Sequence, residues 1–283
     1  MLRTGLKTTF IFLFALGLTA DGLLGQIPRR RANPDAPVDE VFWAPSIIGM
    51  SSVTNIPKGN LTVTILHAFG IATNGIEDLW GLDASANIRF GVDYGLHDRL
   101  SVGFARSRFD KLYDFRMKAN LLRQTRNDTI PIEIAVKGDF GIQTTKNGFG
   151  FADRLSYFIS LMFARKLTER VSVQISPMFS HFNTVFIEEE NDHFAVGLVA
   201  RYVIGDRMSL MVEYVPVLGK RSDGTRNALS MGLNIETGGH VFQLFLKTSQ
   251  WLTEQHIISR NTDNFLDGDF RFGFNVNRVF GVG

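Results

Sequence analysis

Six histidines stand at positions 67, 97, 181, 193, 240 and 256, and none falls in HExxH or another metal-ligand spacing. With no cysteine in the chain there is no thiolate ligand, thiol nucleophile or disulfide framework either. His97 and His240 fall at expected turns, where solvation accounts for them, and His67 sits on the apolar phase of its segment. Ser180-His181 has the residue types of a lipid hydrolase, a hydroxyl nucleophile beside an imidazole base. That chemistry needs the two side chains within hydrogen-bond reach, and neighbours on one extended strand point to opposite faces. Glu188, Glu189, Glu190 and Asp192 form one oxygen-rich loop, and Asp263, Asp267 and Asp269 another. Neither has EF-hand spacing, and both read as solvated loops. Gly238-Gly239 reads as a tight turn, not a phosphate cradle. The expectation is a non-enzyme, with no catalytic residue, no metal and no cofactor.

One constellation does carry physical content. Arg89, Arg116, Lys118, Lys137, Lys166, Arg201, Lys247 and Arg271 share the polar phase of their segments with Asp93, Asp114, Glu133, Asp139, Glu213 and Glu236. Enclosed charges are costly unless paired or hydrated. If these fourteen side chains face an interior, they pair across it or line a narrow hydrated pore with little charge selectivity. Mixed signs on neighbouring segments favour a filled or plugged interior.

The elements that must position them follow a period of two. In residues 84–96, Ala86, Ile88, Phe90, Val92, Tyr94 and Leu96 alternate with Ser85, Asn87, Arg89, Gly91, Asp93 and Gly95. Residues 112–124 and 130–143 repeat the pattern, and noisier runs cover 60–71, 100–109, 154–167, 171–182, 193–204, 208–218, 228–237, 240–250 and 269–281. About twelve strands follow, long enough for tilted membrane strands; fourteen remains open if the segment before residue 58 supplies another. Short polar turns at His97–Arg99, Thr125–Thr129, Thr168–Arg170, Gly205–Arg207 and Thr237–Gly239 alternate with longer loops near 72–83, 145–153, 183–192, 219–227 and 251–268. Tyr94, Tyr113, Tyr157, Tyr202, Tyr214, Phe272 and Phe280 sit near strand ends, as in interfacial aromatic girdles. The fold class read from this is all-β, a transmembrane antiparallel up-and-down β-barrel. A secreted β-sandwich is the competing soluble reading.

The 283 residues carry a formal net charge of +2, which argues against a nucleic-acid partner held by phosphate neutralisation. Residues 1–25 join Arg3 and Lys7 to a short apolar run and read as a signal peptide. Residues 26–57, with the basic run Arg29–Arg31 and the apolar Val41-Phe42-Trp43, read as an N-terminal periplasmic arm or lumen plug. Residues 58–283 then form the barrel.

Several ordered stretches resemble an uncharacterised Bacteroidota outer-membrane β-barrel family, a domain of unknown function. They are Leu61 to Gly70, Gly81-Leu82-Asp83, Ile88 to Gly103, Asp153 to Tyr157, Ala164-Arg165-Lys166, Ile235 to Gln243 and Gly273 to Phe280. The chain departs from that family at Ala68, where relatives carry Arg, and at Phe245, where they carry His. The resemblance implies an outer-membrane barrel and brings no activity. The expectation is therefore a non-enzymatic scaffold or anchor subunit of an outer-membrane assembly, or a narrow restricted pore, in the outer membrane of a Gram-negative bacterium. The alternatives are a solute or lipophilic-molecule channel with an N-terminal hatch and, third, an outer-membrane lipid hydrolase. Expected partners are outer-membrane lipid, lipopolysaccharide and other outer-membrane or periplasmic proteins.

Overall fold

The computed structural model describes residues 35–145 and 148–281; the expected signal peptide, residues 1–25, and the start of the segment after it lie outside the described residues. The strands are β1 (Asn60–Ile71), β2 (Asn87–His97), β3 (Leu100–Ser107), β4 (Leu112–Leu122), β5 (Glu133–Gln143), β6 (Leu155–Lys166), β7 (Val171–Phe182), β8 (Asp192–Gly205), β9 (Met208–Val215), β10 (Val217–Leu218), β11 (Ala228–Glu236), β12 (His240–Lys247) and β13 (Arg271–Gly281). Every neighbour pair is antiparallel. β1 pairs with both β2 and β13, and β8 pairs with β9, so the sheet closes on itself, and the two-residue β10 is the one strand among the described residues with a single partner. Pro216 has no N–H to give the ladder, and it divides one stave into β9 and β10, both paired with β8. The barrel thus has twelve staves.

Side-chain direction follows strand parity. Phe90, Val92, Phe104, Phe115, Met117, Ile159, Ile175, Phe194 and Leu244 are exposed on the outer surface. The buried apolar cluster lies inside the barrel. It joins wall residues such as Phe158, Met162, Met178, Val199, Met211 and Phe245 to Val41, Phe42, Ile47, Ile48, Met50 and Val53 of the N-terminal segment. An outward apolar band is what a hydrocarbon environment asks of a barrel strand. The second, enclosed apolar cluster needs a partner inside, and the N-terminal segment provides it.

The two rims differ. At one rim the strands are joined by short turns, such as Asp98-Arg99 and Asp206-Arg207. Gly238, at φ 78, closes another with the Thr237 N–H donating to the His240 carbonyl at 3.0 Å. The connection expected as a short turn at Thr125–Thr129 is longer, spanning 123–132, and Pro37 of the N-terminal segment bridges to Thr125 within it. The opposite rim carries the long loops. The largest, 248–270, is a surface loop only in its second half, where Leu266 to Gly268 are exposed; its first half holds helix α1 (Glu254–Arg260), whose residues from Glu254 to Ser259 are buried against β6, β7 and β8.

Candidate functional site in the barrel lumen

All fourteen sequence-selected charges lie on the inward phase of their strands, and eight of them stand on β2, β4 and β5. These eight mostly pair with one another. Asp114 accepts from Arg89 at 2.6 and 3.1 Å and from Arg116 at 2.6 Å, and Arg116 also binds Asp93 at 2.7 and 2.8 Å. The pairs reach from β4 to β2 across β3, whose inward residues are Ser101, Gly103, Ala105 and Ser107. A Cβ on Gly103 would lie 1.8 Å from an Asp93 carboxylate oxygen, so the ion pair occupies the space a side chain would fill. Lys137 donates to Asp139 at 2.7 Å and also pairs with Glu254 of α1.

The remaining charges are spread over the other staves. Lys166 pairs with Glu169 at 3.1 Å and Arg271 with Asp263 at 2.8 Å. Lys247 donates to the Trp251 carbonyl at 2.8 Å. The guanidinium of Arg201 lies over the rings of Trp43 and Phe42, 5.0 and 5.8 Å from their centroids. Glu236 accepts from the Gly238 N–H in its turn.

Glu213 and Lys118 hold backbone rather than charge. Residues 45–52 turn back on themselves inside the barrel: the Ile47 N–H donates to the Met50 carbonyl at 2.8 Å, and the Ser52 N–H to the Pro45 carbonyl at 3.0 Å. At the tip, the N–H groups of Ile48, Gly49 and Met50 converge on the Glu213 carboxylate at 2.6, 2.9 and 3.1 Å. Three successive N–H groups around one anion form a backbone nest. On the carbonyl side, the Lys118 ammonium donates to Pro45, Ser52 and Thr54 at 3.3, 3.0 and 2.5 Å. A backbone that enters a lumen without sheet partners must find donors and acceptors on the wall, and these two side chains supply six of them.

Neutral amides complete the cradle, and inspection of charges alone misses them. Gln174 accepts from the Val53 N–H and donates to the Ser51 carbonyl, both at 2.9 Å, imitating a strand partner. Asn120 donates to the Val53 carbonyl at 2.8 Å, and Gln243 and Asn275 bind Ser46 at 3.2 Å each. Their signal in the sequence is an amide on the polar phase of a strand, which by itself is indistinguishable from a solvated position. Close packing is equally local: a Cβ on Gly197 would lie 1.8 Å from the Met50 methyl.

Helix α1 meets this segment from the other rim. Glu254 accepts from the Ser51 N–H at 2.9 Å and the Ser51 hydroxyl at 3.0 Å. Burial raises the Glu254 pKa, but Lys137 and the Ser51 donors outweigh it and hold the carboxyl below its ordinary range. Burial, with Arg260 alongside, pushes the His256 imidazole well below its usual value. His256 stacks on Trp251 with centroids 5.0 Å apart and shares a 2.8 Å hydrogen bond with Thr253.

Cavities remain in the lumen, lined by both polar and apolar atoms. One of about 80 Å³ lies between the segment tip, α1 and the charged strands. A second of about 140 Å³ lies by Asn55, Asn120 and Glu133. The third, about 630 Å³, opens at the turn rim beside Trp43, Arg123, Lys166 and Arg201.

The histidine and serine candidates do not assemble into a site. Ser180 is buried inside, while His181 points outward and binds Asp192 at 2.7 Å. Outward-facing His67 stacks on Phe274 with centroids 5.2 Å apart. His193 faces inward, 3.3 Å from the Ser222 hydroxyl. Asp267 and Asp269 bind Asn264, and among the described residues no group of acidic and histidine side chains could hold a metal ion.

Residues 42–280 match the family described as membrane bound beta barrel domain (DUF5777). The chain belongs to this family. Among solved structures, an outer membrane channel from Pseudomonas putida F1 is similar, at 14% identity and a TM-score of 0.51 over 81% of this chain and 98% of that one. The NanC porin aligns at 8% identity and a TM-score of 0.49, covering 77% and 98% of the two chains. The KdgM porin aligns at 10% and 0.49, covering 77% and 99%. No curated protein matches. The chain is thus a membrane-bound β-barrel.

Proposed function

We propose that the protein is a plugged outer-membrane barrel that conducts no solute at rest and serves as a scaffold or anchor subunit of an outer-membrane assembly. The short turns face the periplasm and the long loops the cell exterior, as in bacterial barrels. The outer apolar band then contacts lipid, and the loop rim meets lipopolysaccharide. The reading rests chiefly on the Glu213 nest. A buried carboxylate that accepts from the backbone of Ile48, Gly49 and Met50 at once has a structural task, and that task is to hold a segment in the lumen. With α1 entering from the opposite rim, two pieces of chain, joined through Ser51 and Glu254, stand in any path.

Planar-bilayer recording tests it. The intact chain should give no steady conductance. A variant with Glu213→Ala and Lys118→Ala should give steady openings, smaller than those of an empty twelve-stave barrel because α1 stays in the lumen. Steady nanosiemens-scale conductance from the intact chain would end the scaffold reading. One observation favours the second reading, a solute or lipophilic-molecule channel with the segment 26–57 as its hatch: cavities persist against the wall of β2, β4 and β5 at the depth of the segment's described part. On that reading the intact chain shows brief, small openings that Cys cross-linking of the segment to the wall abolishes.

A further inference from the structure

The turn-rim vestibule of about 630 Å³ holds an arginine whose hydrogen-bonding capacity is not used. Arg201 is 2% exposed, and its Nε and Nη1 have no hydrogen-bond partner. Its guanidinium is instead covered by the Trp43 and Phe42 rings. A ring face offsets part of a cation's desolvation, but it does not replace acceptors in the plane of the fork. Buried donors without acceptors are costly, so a ligand that supplies two oxygens there is rewarded.

The surroundings narrow the ligand class. Arg123 and Lys166 line the same vestibule, as do Asp39, Glu40 and Glu169. Asp39 is engaged by Arg126 at 2.6 Å and Glu169 by Lys166 at 3.1 Å. Glu40 is the acid facing Arg201 and Arg123; burial works against its charge and raises its pKa, with Glu236 and Asp39 adding repulsion that the two arginines only partly offset. The balance of uncommitted charge is positive, and the volume suits a small solute. We propose that this vestibule is a binding site for a small oxyanion, a carboxylate or phosphate group, taken bidentately by the Arg201 guanidinium once Trp43 slides aside. Because Trp43 belongs to the luminal segment, occupancy of the site is felt by that segment. Binding does not require the barrel to conduct, so the proposal stands apart from the scaffold reading.

The test uses the full barrel folded in detergent micelles at low ionic strength. It is titrated with citrate in one arm and inorganic phosphate in the other, and binding is followed by calorimetry and by tryptophan emission. At least one anion should bind saturably with one site per chain, and the arm that does so identifies the source chemistry. The emission change should disappear in Trp43→Phe. Arg201→Gln should weaken binding at least tenfold, whereas Arg165→Gln, on an exposed arginine outside the vestibule, should leave it unchanged. Heat-modified mobility on gels reports whether each variant is folded. If Arg201→Gln does not fold, Arg201→Lys, which keeps the charge and loses the fork, and Arg123→Glu should each weaken binding several-fold. Absence of saturable binding for both anions, or equal affinity in the folded Arg201 variant and the intact chain, would overturn the assignment.

Discussion

The two halves of the lumen wall hold the same segment by different physics. On the side of β2, β4 and β5, inward residues are charged, and they are satisfied mainly by each other: Arg89, Asp114, Arg116 and Asp93 form a continuous ladder. On the side of β6 to β9, Phe158, Met162, Met178, Val199 and Met211 pack against Ile48, Met50 and Phe42 as a soluble core would. The charged half touches the segment sparingly, through Lys118, Asn120 and Glu254, and leaves cavities. The apolar half packs closely around the tip of the segment and opens only toward the turn rim, beside Lys166 and Arg201, and the charge nearest the tip, Glu213, is consumed by three backbone donors. A charge ladder resists dissection because each ion's partner would be stranded. An apolar wall adapts in shape and depends on an occupant being present. The comparison therefore places attachment of the segment on the apolar half and stiffness of the barrel on the charged half.

Substitutions can break that division, beginning with the largest effect. Glu213→Ala orphans three buried N–H groups at about 1–3 kcal/mol each, so the segment should leave the lumen. Proteolysis of residues 35–59 should become fast in this variant while the barrel stays heat-modifiable; unchanged protection would show that the nest is not the anchor. Ile48→Ala, on the apolar half, removes a side chain that is 1% exposed and should cost about 2–4 kcal/mol of segment attachment, read as faster amide exchange at the tip. Lys118→Met withdraws hydrogen bonds from three carbonyls on the charged half and should cost about 1–3 kcal/mol, seen in the same exchange experiment as a smaller effect around Thr54. Gly103→Ala should separate Asp93 from Arg116, lowering the unfolding temperature of the barrel with no change in segment exchange. A rise in segment exchange would mean that the two halves are not independent. Arg126→Ala breaks a pair whose side chains are 38% and 70% exposed, and should change stability by less than about 0.5 kcal/mol.

The staves were legible because a strand's two faces are a local property. The alternation at 84–96 and 112–124 places β2 and β4 to within a few residues, and the parity of each strand decides which side chains turn inward. The helix in 248–270 was not legible. Its seven residues carry too little periodicity, and Gln255, His256 and Ser259 look solvated until the lumen buries them. The same holds for Gln174, Asn120 and Gln243. An amide gives no signal of whether water or a backbone will meet it.

By itself the sequence determined that this chain makes about twelve amphipathic strands, with rims of unequal connections and fourteen charges on their polar faces, because extended backbone turns successive side chains to opposite sides. Closure of the sheet decided the rest. It brought Arg116 to Asp93 across the small residues of β3, gave Glu213 three backbone donors from residues 163–165 positions away, and drew α1 inside. Those contacts join segments far apart in the chain, and no local pattern encodes the distance between them.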